Sequence, residues 1–199
     1  MCGRFYIPED DENEAILEIL QEASRKMKAL TGTETMPRGE IAPSQAVAAL
    51  AAGKNGGTGV YPMRWGFTRY DRKGFIINTR SETAMERPMF RHSMAERRCL
   101  IPAAYYFEWE KRGNEKIRYA IRPKADGLMY LAGIYRFEEG EKLPVLSILT
   151  RAPAKEIQFI HDRMPVIFSE RRKDDWLDRG ADPGKLLEAC ETEMTFRTA

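Results

Sequence analysis

The chain has 199 residues, of which 43% are hydrophobic and 31% are charged, and 32 Lys and Arg against 30 Asp and Glu leave a net charge of +2. This length fits one domain, since domains cluster near ~100–150 residues, and the balanced charge excludes a strongly basic DNA-packaging protein. Three cysteines without a Cys-x-x-Cys pair and only two histidines argue against a disulfide scaffold and a structural metal. We expect no metal and no cofactor.

No membrane segment is expected either. The longest apolar runs, residues 46–52 and 128–132, are far shorter than the ~18 residues that a membrane span needs. The sequence therefore predicts a cytoplasmic protein in reducing surroundings.

The first predicted element is a helix over residues 14–30. Apolar residues recur there at helical spacing: Ile16, Leu20, Ala23, Met27 and Leu30. Asp10 and Asp11 are the candidate N-terminal caps, and Gly32 is the stop signal. Residues 31–44, with Pro37, Gly39 and Pro43, are expected to form a loop.

Short β-like runs dominate the rest of the chain. They cover residues 46–51, 60–67, 75–77, 99–109, 117–122, 128–137 and 144–150. Helices are expected near residues 81–86, 153–160 and 185–190. Strands without regular intervening helices favour an α+β fold, because a parallel βαβ fold needs a helix after each strand. We therefore predict a single domain over residues 1–199 with a curved, mostly antiparallel, barrel-like sheet and a few flanking helices.

Cys2 is the sharpest chemical feature of the sequence. Removal of Met1 would leave a free α-amine and a thiol on adjacent carbons. Their reference pKa values, ~7.7–8.0 and ~8.5, give both groups a usable nucleophilic fraction at neutral pH. Two reactions are open to such a pair: acyl transfer through the thiol, or condensation with an aldehyde to a five-membered thiazolidine. An incidental terminal cysteine is the alternative.

Two further residues are candidates for proton transfer. His161 follows a predicted helix and precedes an apolar run, and it is one of only two histidines, so it is a natural proton shuttle. Glu108 is embedded in the aromatic run of residues 105–109, where a carboxyl group is a competent general acid or base. The alternatives are a structural histidine and a glutamate that points outward into solvent.

Asn78 and Arg80 follow an apolar strand at the point where the chain turns into a helix, which is where active sites commonly gather their side chains. Residues 64–98 carry nine Lys and Arg against four Asp and Glu, a surplus of five positive charges, interleaved with five aromatic residues. That composition is typical of a groove that neutralises phosphates and stacks bases. Core aromatics beside a solvated basic face explain it equally well.

Eight short motifs resemble the SRAP family (SOS response-associated peptidase, also called abasic site processing proteins), in the order of the family and over residues 2 to about 168. They are Cys2-Gly3-Arg4-Phe5, Ala42-Pro43-Ser44-Gln45, Arg64-Trp65-Gly66-Phe67, Asn78-Thr79-Arg80-Ser81-Glu82-Thr83, Arg98-Cys99-Leu100-Ile101-Pro102, Phe107-Glu108-Trp109, Leu149-Thr150 and His161-Asp162-Arg163-Met164-Pro165. Each motif alone is weak evidence for the family, whereas eight motifs in the same order are specific to it.

The resemblance implies a DNA-damage (SOS response) protein that binds single-stranded DNA at an abasic site and forms a thiazolidine crosslink through Cys2. It also implies lyase-like activity, autoproteolytic or aminopeptidase-assisted loss of Met1, a monomer without an obligate protein partner, and action at the nucleoid. The carried-over catalytic residues are Cys2, Asn78, Glu108 and His161. Arg4, Arg80, Thr150 and Arg163 would contact phosphates or the lesion, and Pro43 and Trp65 would belong to a wedge that splays flanking bases.

The sequence also departs from the family pattern. Tyr105 stands where the family commonly has glycine, so the pocket wall is expected to differ in shape there, and the residues after Trp176 show no recognisable family segment. Three alternative functions remain open: an amidohydrolase that uses the same terminal cysteine, a cysteine peptidase with Cys2, His161 and Glu108 as a triad, and a plain single-strand-binding module, which would tolerate Cys2→Ala.

Overall fold

The structure, a computed structural model, describes residues 2–10, 13–53, 56–71, 73–125 and 127–199. The described strands are β1 (Arg4–Ile7), β2 (Gly39–Ile41), β3 (Ala46–Ala52), β4 (Thr58–Trp65), β5 (Phe67–Thr68), β6 (Phe75–Ile76), β7 (Asn78–Arg80), β8 (Arg98–Ala103), β9 (Tyr105–Arg112), β10 (Glu115–Pro123), β11 (Met129–Arg136), β12 (Val145–Arg151), β13 (Met164–Pro165), β14 (Ile167–Ser169) and β15 (Met194–Thr198). The described α-helices are α1 (Glu14–Thr31), α2 (Ser81–Ala84), α3 (Pro88–Glu96), α4 (Lys173–Leu177) and α5 (Pro183–Glu188).

Helix α1 confirms the predicted amphipathic helix and buries Ile16, Leu20, Ala23 and Met27. Its N-cap is Asn13, whose side chain accepts the backbone N–H of Ile16, so the predicted capping by Asp10 is wrong; Asp11 lies outside the described residues. Gly32 ends the helix in the left-handed conformation, at φ 82°. Leu30, expected on the buried face, is 51% exposed.

The large sheet closes into a barrel. Strands β12, β4, β3, β8 and β11 follow one another in hydrogen-bonded order, and β11 pairs back with β12. Strands β13, β14 and β7 extend this sheet, and β12 pairs in parallel with both β4 and β7. The other described pairs are antiparallel, so the predicted curved and mostly antiparallel α+β architecture is confirmed.

A second sheet of five antiparallel strands, in the order β15-β10-β9-β1-β2, packs on the barrel. Strand β1 lies between β2 and β9, with Arg4 opposite Phe107 and Phe5 opposite Ile41. The ring of Phe5 is fully buried against Trp65 of the barrel strand β4, with ring centroids 5.2 Å apart. The N-terminal residues therefore enter the core between the two sheets.

Two continuous apolar runs are each divided into two strands. Gly66 separates β4 from β5 with φ 122°, and a Cβ at that position would lie 2.8 Å from the Cβ of Phe75, so only glycine fits. At Ala104 the backbone N–H donates to Tyr6 O at 2.9 Å, and the chain passes from the barrel strand β8 into β9 of the second sheet. That crossing delivers the residues of β9 to the interface between the sheets.

Several sequence expectations are corrected. The expected loop over residues 31–44 contains β2, the expected helix over 153–160 is only a 3-10 turn at Lys155–Ile157, and the terminal helix is α5, shifted towards the N-terminus. Pro88 begins α3, because proline fits the first turn of a helix, where the backbone N–H has no partner within the helix. None of the described helices is long and apolar enough to cross a membrane.

Candidate active site

The pocket around Cys2 lies where the two sheets meet. The Cys2 side chain is fully buried, and its sulfur is 3.9 Å from the carbonyl oxygen of Arg4. The side-chain amide of Asn78, on the barrel strand β7, donates to the backbone carbonyl of Cys2 at 2.8 Å. The structure thus brings together two predicted site residues that are 76 positions apart.

Glu108 faces the same pocket. It lies on β9, is only 5% exposed, and points with Tyr106 to the side of the sheet that meets the barrel. Its negative charge acts on the Cys2 thiol and on the Tyr106 phenol. The outward-facing alternative for Glu108 is therefore wrong.

The thiol is held in its protonated form. Burial, and secondarily the charge of Glu108, raise the pKa of Cys2 from 9.0 to about 12. Desolvation disfavours the thiolate, and a neighbouring carboxylate repels it. The thiol of the folded chain that carries Met1 is therefore protonated at neutral pH, and its ionised fraction after removal of Met1 stays a prediction.

Tyr106 is a pocket residue that the sequence analysis missed. Its hydroxyl is buried without a hydrogen-bond partner among the described residues, and burial, the Cys2 sulfur and Glu108 raise its pKa well above the usual value. The Oδ1 atom of Asn78 is buried and unpartnered in the same way. Because buried polar atoms are normally paired, these two atoms are available to bind a polar group of a ligand. The alternation of Tyr106 with Glu108 along one strand is the signal that could have revealed it.

Tyr105 does not shape this pocket. It points to the opposite face of β9, where its ring stacks on Tyr6 with centroids 4.8 Å apart and planes 5° apart. The expectation that Tyr105 alters the pocket wall is therefore wrong, because neighbouring residues of a strand face opposite sides of the sheet.

A second group of predicted residues gathers at the barrel edge formed by β7, β12 and β13. Thr150 pairs with Arg80 on one side and with Pro165 on the other. Arg163 forms two hydrogen bonds to the carboxylate of Glu82, at 2.7 and 2.8 Å, and one to Thr150 O at 2.6 Å. Thr150 is buried, with its hydroxyl 3.5 Å from Thr79 O, and Arg163 is half-buried; contacts of these two residues with phosphates or the lesion remain predictions.

His161 lies beside this edge, just before β13. Its Nδ1 atom is 2.7 Å from Asp162 Oδ1 and 3.0 Å from the backbone N–H of Arg163. These contacts hold the imidazole ring in one orientation. Arg80, in contrast, is exposed at the same edge, so its predicted role at the DNA surface remains a prediction.

The three remaining predicted DNA contacts, Trp65, Arg4 and Pro43, differ in how exposed their side chains are. Trp65 is fully buried, and its indole N–H donates to Ile77 O at 2.9 Å, so its predicted role in a base-splaying wedge is wrong. The ring stabilises the joint between the sheets instead. Arg4 is partly exposed and forms an ion pair with Glu40 at 3.1 Å, while Pro43 is half-buried in the turn before β3. Contacts of these two residues with DNA remain predictions.

The positive surplus over residues 64–98 does not form one groove. Arg64 binds the carboxylate of Glu141, Arg98 is buried and donates to Trp176 O and Met94 O, and Arg72 lies outside the described residues. A cleft of about 750 Å³ does open beside Asn78, with Arg69, Tyr70 and Arg87 in its lining. Tyr70 is 83% exposed, which makes it an available stacking surface.

Fold and pocket together define an α+β barrel protein in which a buried cysteine at position 2 meets a carboxylate and an asparagine from two different sheets. The family described as SOS response associated peptidase (SRAP) matches residues 1–198, and this chain belongs to that family. The match includes the residues after Trp176, where no family segment was expected, and β15 in that segment pairs with β10.

Individual relatives agree with this assignment. Abasic site processing protein YoqW of Bacillus subtilis (strain 168) is 32% identical over 197 residues, which cover 94% of this chain and 84% of that protein. Abasic site processing protein YedK of Escherichia coli (strain K12) is 30% identical over 181 residues, covering 89% and 79%. A crystal structure of a protein from Bacteroides thetaiotaomicron is similar in fold, with a TM-score of 0.80, 20% identity and coverage of 99% and 91%.

The raised thiol pKa predicts slow alkylation of Cys2. At pH 8 we expect iodoacetamide to modify Cys2 about a thousand-fold more slowly in the folded chain that retains Met1 than in the urea-unfolded chain, because only the thiolate reacts. Glu108→Gln removes a charge that opposes the thiolate and should speed the reaction. Peptide mapping by mass spectrometry separates Cys2 from the other cysteines.

Glu110→Gln is the matched control, since Glu110 lies on the same strand and is not among the groups that shift the Cys2 pKa. Equal alkylation rates for the Glu108→Gln variant and the unsubstituted chain would contradict electrostatic contact between Glu108 and the thiol.

Proposed function

We propose that this protein captures abasic sites in single-stranded DNA through a thiazolidine bond between Cys2 and the sugar aldehyde, after Met1 has been removed. The observation that carries the proposal is the buried site in which Cys2, Asn78 and Glu108 meet beside the Tyr106 hydroxyl and Asn78 Oδ1, two atoms without a hydrogen-bond partner among the described residues. The names of the relatives, which are abasic site processing proteins, support the same target. We further propose that the protein acts as a monomer at the nucleoid in the SOS response.

The proposed reaction has two bond-forming steps. The α-amine of Cys2 attacks the aldehyde carbon, and the resulting carbinolamine loses water to form a Schiff base. The sulfur then adds to the imine carbon, while the thiol proton passes to the imine nitrogen. One water is released, and a C–N and a C–S bond join protein and sugar.

The raised thiol pKa supports this order of events. Burial and Glu108, which raise that pKa in the chain that carries Met1, also surround the thiol after Met1 is lost, and a protonated thiol is a poor first nucleophile, so the amine attacks first and the sulfur closes the ring. Glu108 is the nearby base that accepts the thiol proton and returns it to nitrogen. The Tyr106 hydroxyl donates a hydrogen bond to the carbinolamine oxygen as water leaves, and Asn78 holds the Cys2 carbonyl. His161, with its ring held by Asp162 and Arg163, assists opening of the sugar and later elimination.

The same observation argues against a cysteine peptidase or amidohydrolase. Those enzymes activate the sulfur by lowering its pKa next to a histidine or another cation, whereas burial and Glu108 raise the pKa of Cys2. Loss of Met1, whether by the chain itself or by an aminopeptidase, serves here to uncover the amine.

DNA reaches the pocket through the cleft beside Asn78, in our proposal. The exposed ring of Tyr70 provides the base-stacking surface that the buried Trp65 cannot provide. Arg80, exposed at the neighbouring barrel edge, would neutralise a phosphate.

The central test is covalent capture. Protein that lacks Met1, incubated with a single-stranded oligonucleotide carrying one abasic site, should form a band that survives denaturing electrophoresis, with a mass equal to the sum of both reactants less one water. Cys2→Ala should abolish the band, and so should an extra residue before Cys2, because the α-amine is then an amide.

Cys99→Ser tests whether the loss is specific to Cys2, since Cys99 is a buried cysteine outside the pocket. A crosslink of normal yield from protein with a blocked amine would overturn the thiazolidine, and hydrolysis of a peptide or amide substrate without a crosslink would favour the hydrolase.

Tyr106→Phe should separate function from stability. It removes a buried hydroxyl without a partner among the described residues, so the free energy of unfolding should stay unchanged or rise by about 1 kcal/mol. The crosslinking rate should fall about ten-fold, the equivalent of one hydrogen bond of ~1.4 kcal/mol in the transition state. Urea denaturation and single-turnover crosslinking provide the two measurements.

Tyr119→Phe on the adjacent strand is the control for loss of a tyrosine hydroxyl, because its hydroxyl binds Glu110 and not the pocket. If Tyr106→Phe destabilises the fold and leaves the rate unaltered, the hydroxyl has a structural role.

Salt dependence should distinguish the two kinds of DNA contact. Arg80→Ala should reduce the slope of log affinity against log salt by ~0.7, the value for one phosphate contact on a single strand. Tyr70→Ala should cost ~1–3 kcal/mol without changing the slope, because base stacking releases no counterions. Fluorescence anisotropy on the Cys2→Ala background measures both, and Arg171→Ala, an exposed cation elsewhere, is the control. An unchanged slope for Arg80→Ala would remove that residue from the DNA surface.

A further inference from the structure

A cavity of about 1030 Å³ opens on a part of the molecule that none of the candidate catalytic residues lines. Its walls come from α1, β4, α3, β11 and the loop between β11 and β12, and they are mostly apolar. Met63, Leu143 and Pro144 are among the wall residues. The volume reaches the upper end of the roughly 300–1,000 Å³ that small-molecule pockets occupy.

The rim of this cavity is positively charged. Within the described part of the chain, Arg97, Lys142 and Arg179 form no ion pair, although Arg179 donates to Ala52 O at 3.1 Å. Two described carboxylates stand at the same rim, and one of them, Glu141, is already held by Arg64 at 2.9 Å. Among the described residues of the rim, three unpaired cations therefore face one unpaired carboxylate. This surplus of positive charge attracts an acidic ligand.

Large apolar side chains are exposed at the edge of the cavity. Phe137 is 66% exposed and Leu30 is 51% exposed. The guanidinium of Arg97 lies 5.4 Å from the Phe137 ring centroid, and Tyr135 contacts the same ring edge-on at 6.1 Å. Exposed apolar side chains clustered beside a pocket mark surfaces that bind other proteins.

We propose that this cavity is a docking site for an acidic peptide segment of a partner protein. One large apolar side chain of the segment fills the space between Met63, Tyr135 and Leu143. Its carboxylates lie against Arg97, Lys142 and Arg179. This inference is independent of the chemistry at Cys2.

A peptide satisfies the observations better than other ligands. A small anion would pair with the cations but leave Leu30 and Phe137 exposed to water, which loses the free energy of burying apolar surface. A nucleic acid strand would supply phosphates but no side chain for the aliphatic wall around Met63 and Leu143. An acidic segment with an apolar anchor uses both features, as hot-spot anchors in pockets commonly do.

The experiment selects peptides from a phage-displayed library of random short sequences, using full-length Cys2→Ala protein as bait. We expect enrichment of sequences that combine Asp or Glu with Phe, Trp, Leu or Ile. The best selected peptide, synthesised with a fluorescent label, should bind about ten-fold or more weakly to Arg97→Ala/Arg179→Ala, which loses two charge contacts of the rim. Arg171→Ala, an exposed cation outside the cavity, should leave peptide affinity unchanged.

Thermal unfolding of each variant confirms that it folds. Phe137→Ser is the second rim variant, and because the Phe137 side chain is exposed, the substitution has little effect on the core. Binding of intact single-stranded DNA should be the same in all variants. The proposal is overturned if no acidic sequences are enriched, if both rim variants bind the selected peptide normally, or if the rim variants lose DNA affinity and keep peptide affinity.

Discussion

The hydrogen bond from the Asn78 side chain to the Cys2 carbonyl joins the two sheets at the point where the chain begins its first strand. It requires β1 to be paired between β2 and β9, and β7 to be paired in parallel with β12. Phe5 on Trp65 provides the apolar contact beside it. Because Asn78 lies in a paired strand and Cys2 lies two residues before the paired strand β1, an N-terminal residue that would ordinarily fray is held inside the molecule.

Burial of this segment determines its chemistry. A thiol at a solvated terminus would titrate near its reference pKa, whereas Cys2 is buried beside Glu108 and stays protonated at neutral pH. The pocket also keeps the Tyr106 hydroxyl and Asn78 Oδ1 without partners among the described residues. Unpaired buried polar atoms are costly for stability, and they have a use where a polar substrate supplies the missing hydrogen bonds. Stability and function therefore oppose each other in this pocket.

Several arginines of the chain bind groups within the protein and are therefore not available to bind a partner. Arg98 satisfies backbone carbonyls of α3 and α4, and Arg163 binds Glu82 and Thr150. Arg80 remains exposed at the barrel edge, and Arg97 and Arg179, at the rim of the separate cavity, form no ion pair with any residue that the structure describes. The positive charges available for partners are thus divided between two surfaces.

Periodicity alone was sufficient to predict α1 and most barrel strands, because their apolar spacing reflects which face is buried. The ordered motifs likewise indicated the family. They also singled out Cys2, Asn78 and Glu108, which the structure brings together. Short strands such as β1, β2 and β15 escaped prediction, since a few residues carry too little pattern and owe their conformation to paired neighbours. Only the tertiary structure decided that Trp65 and Thr150 are buried, that Tyr105 and Tyr106 face opposite sides, and that the Cys2 thiol is protonated. Burial and pKa depend on what the rest of the chain places around a side chain, and that arrangement is set by the pairing of strands distant in sequence.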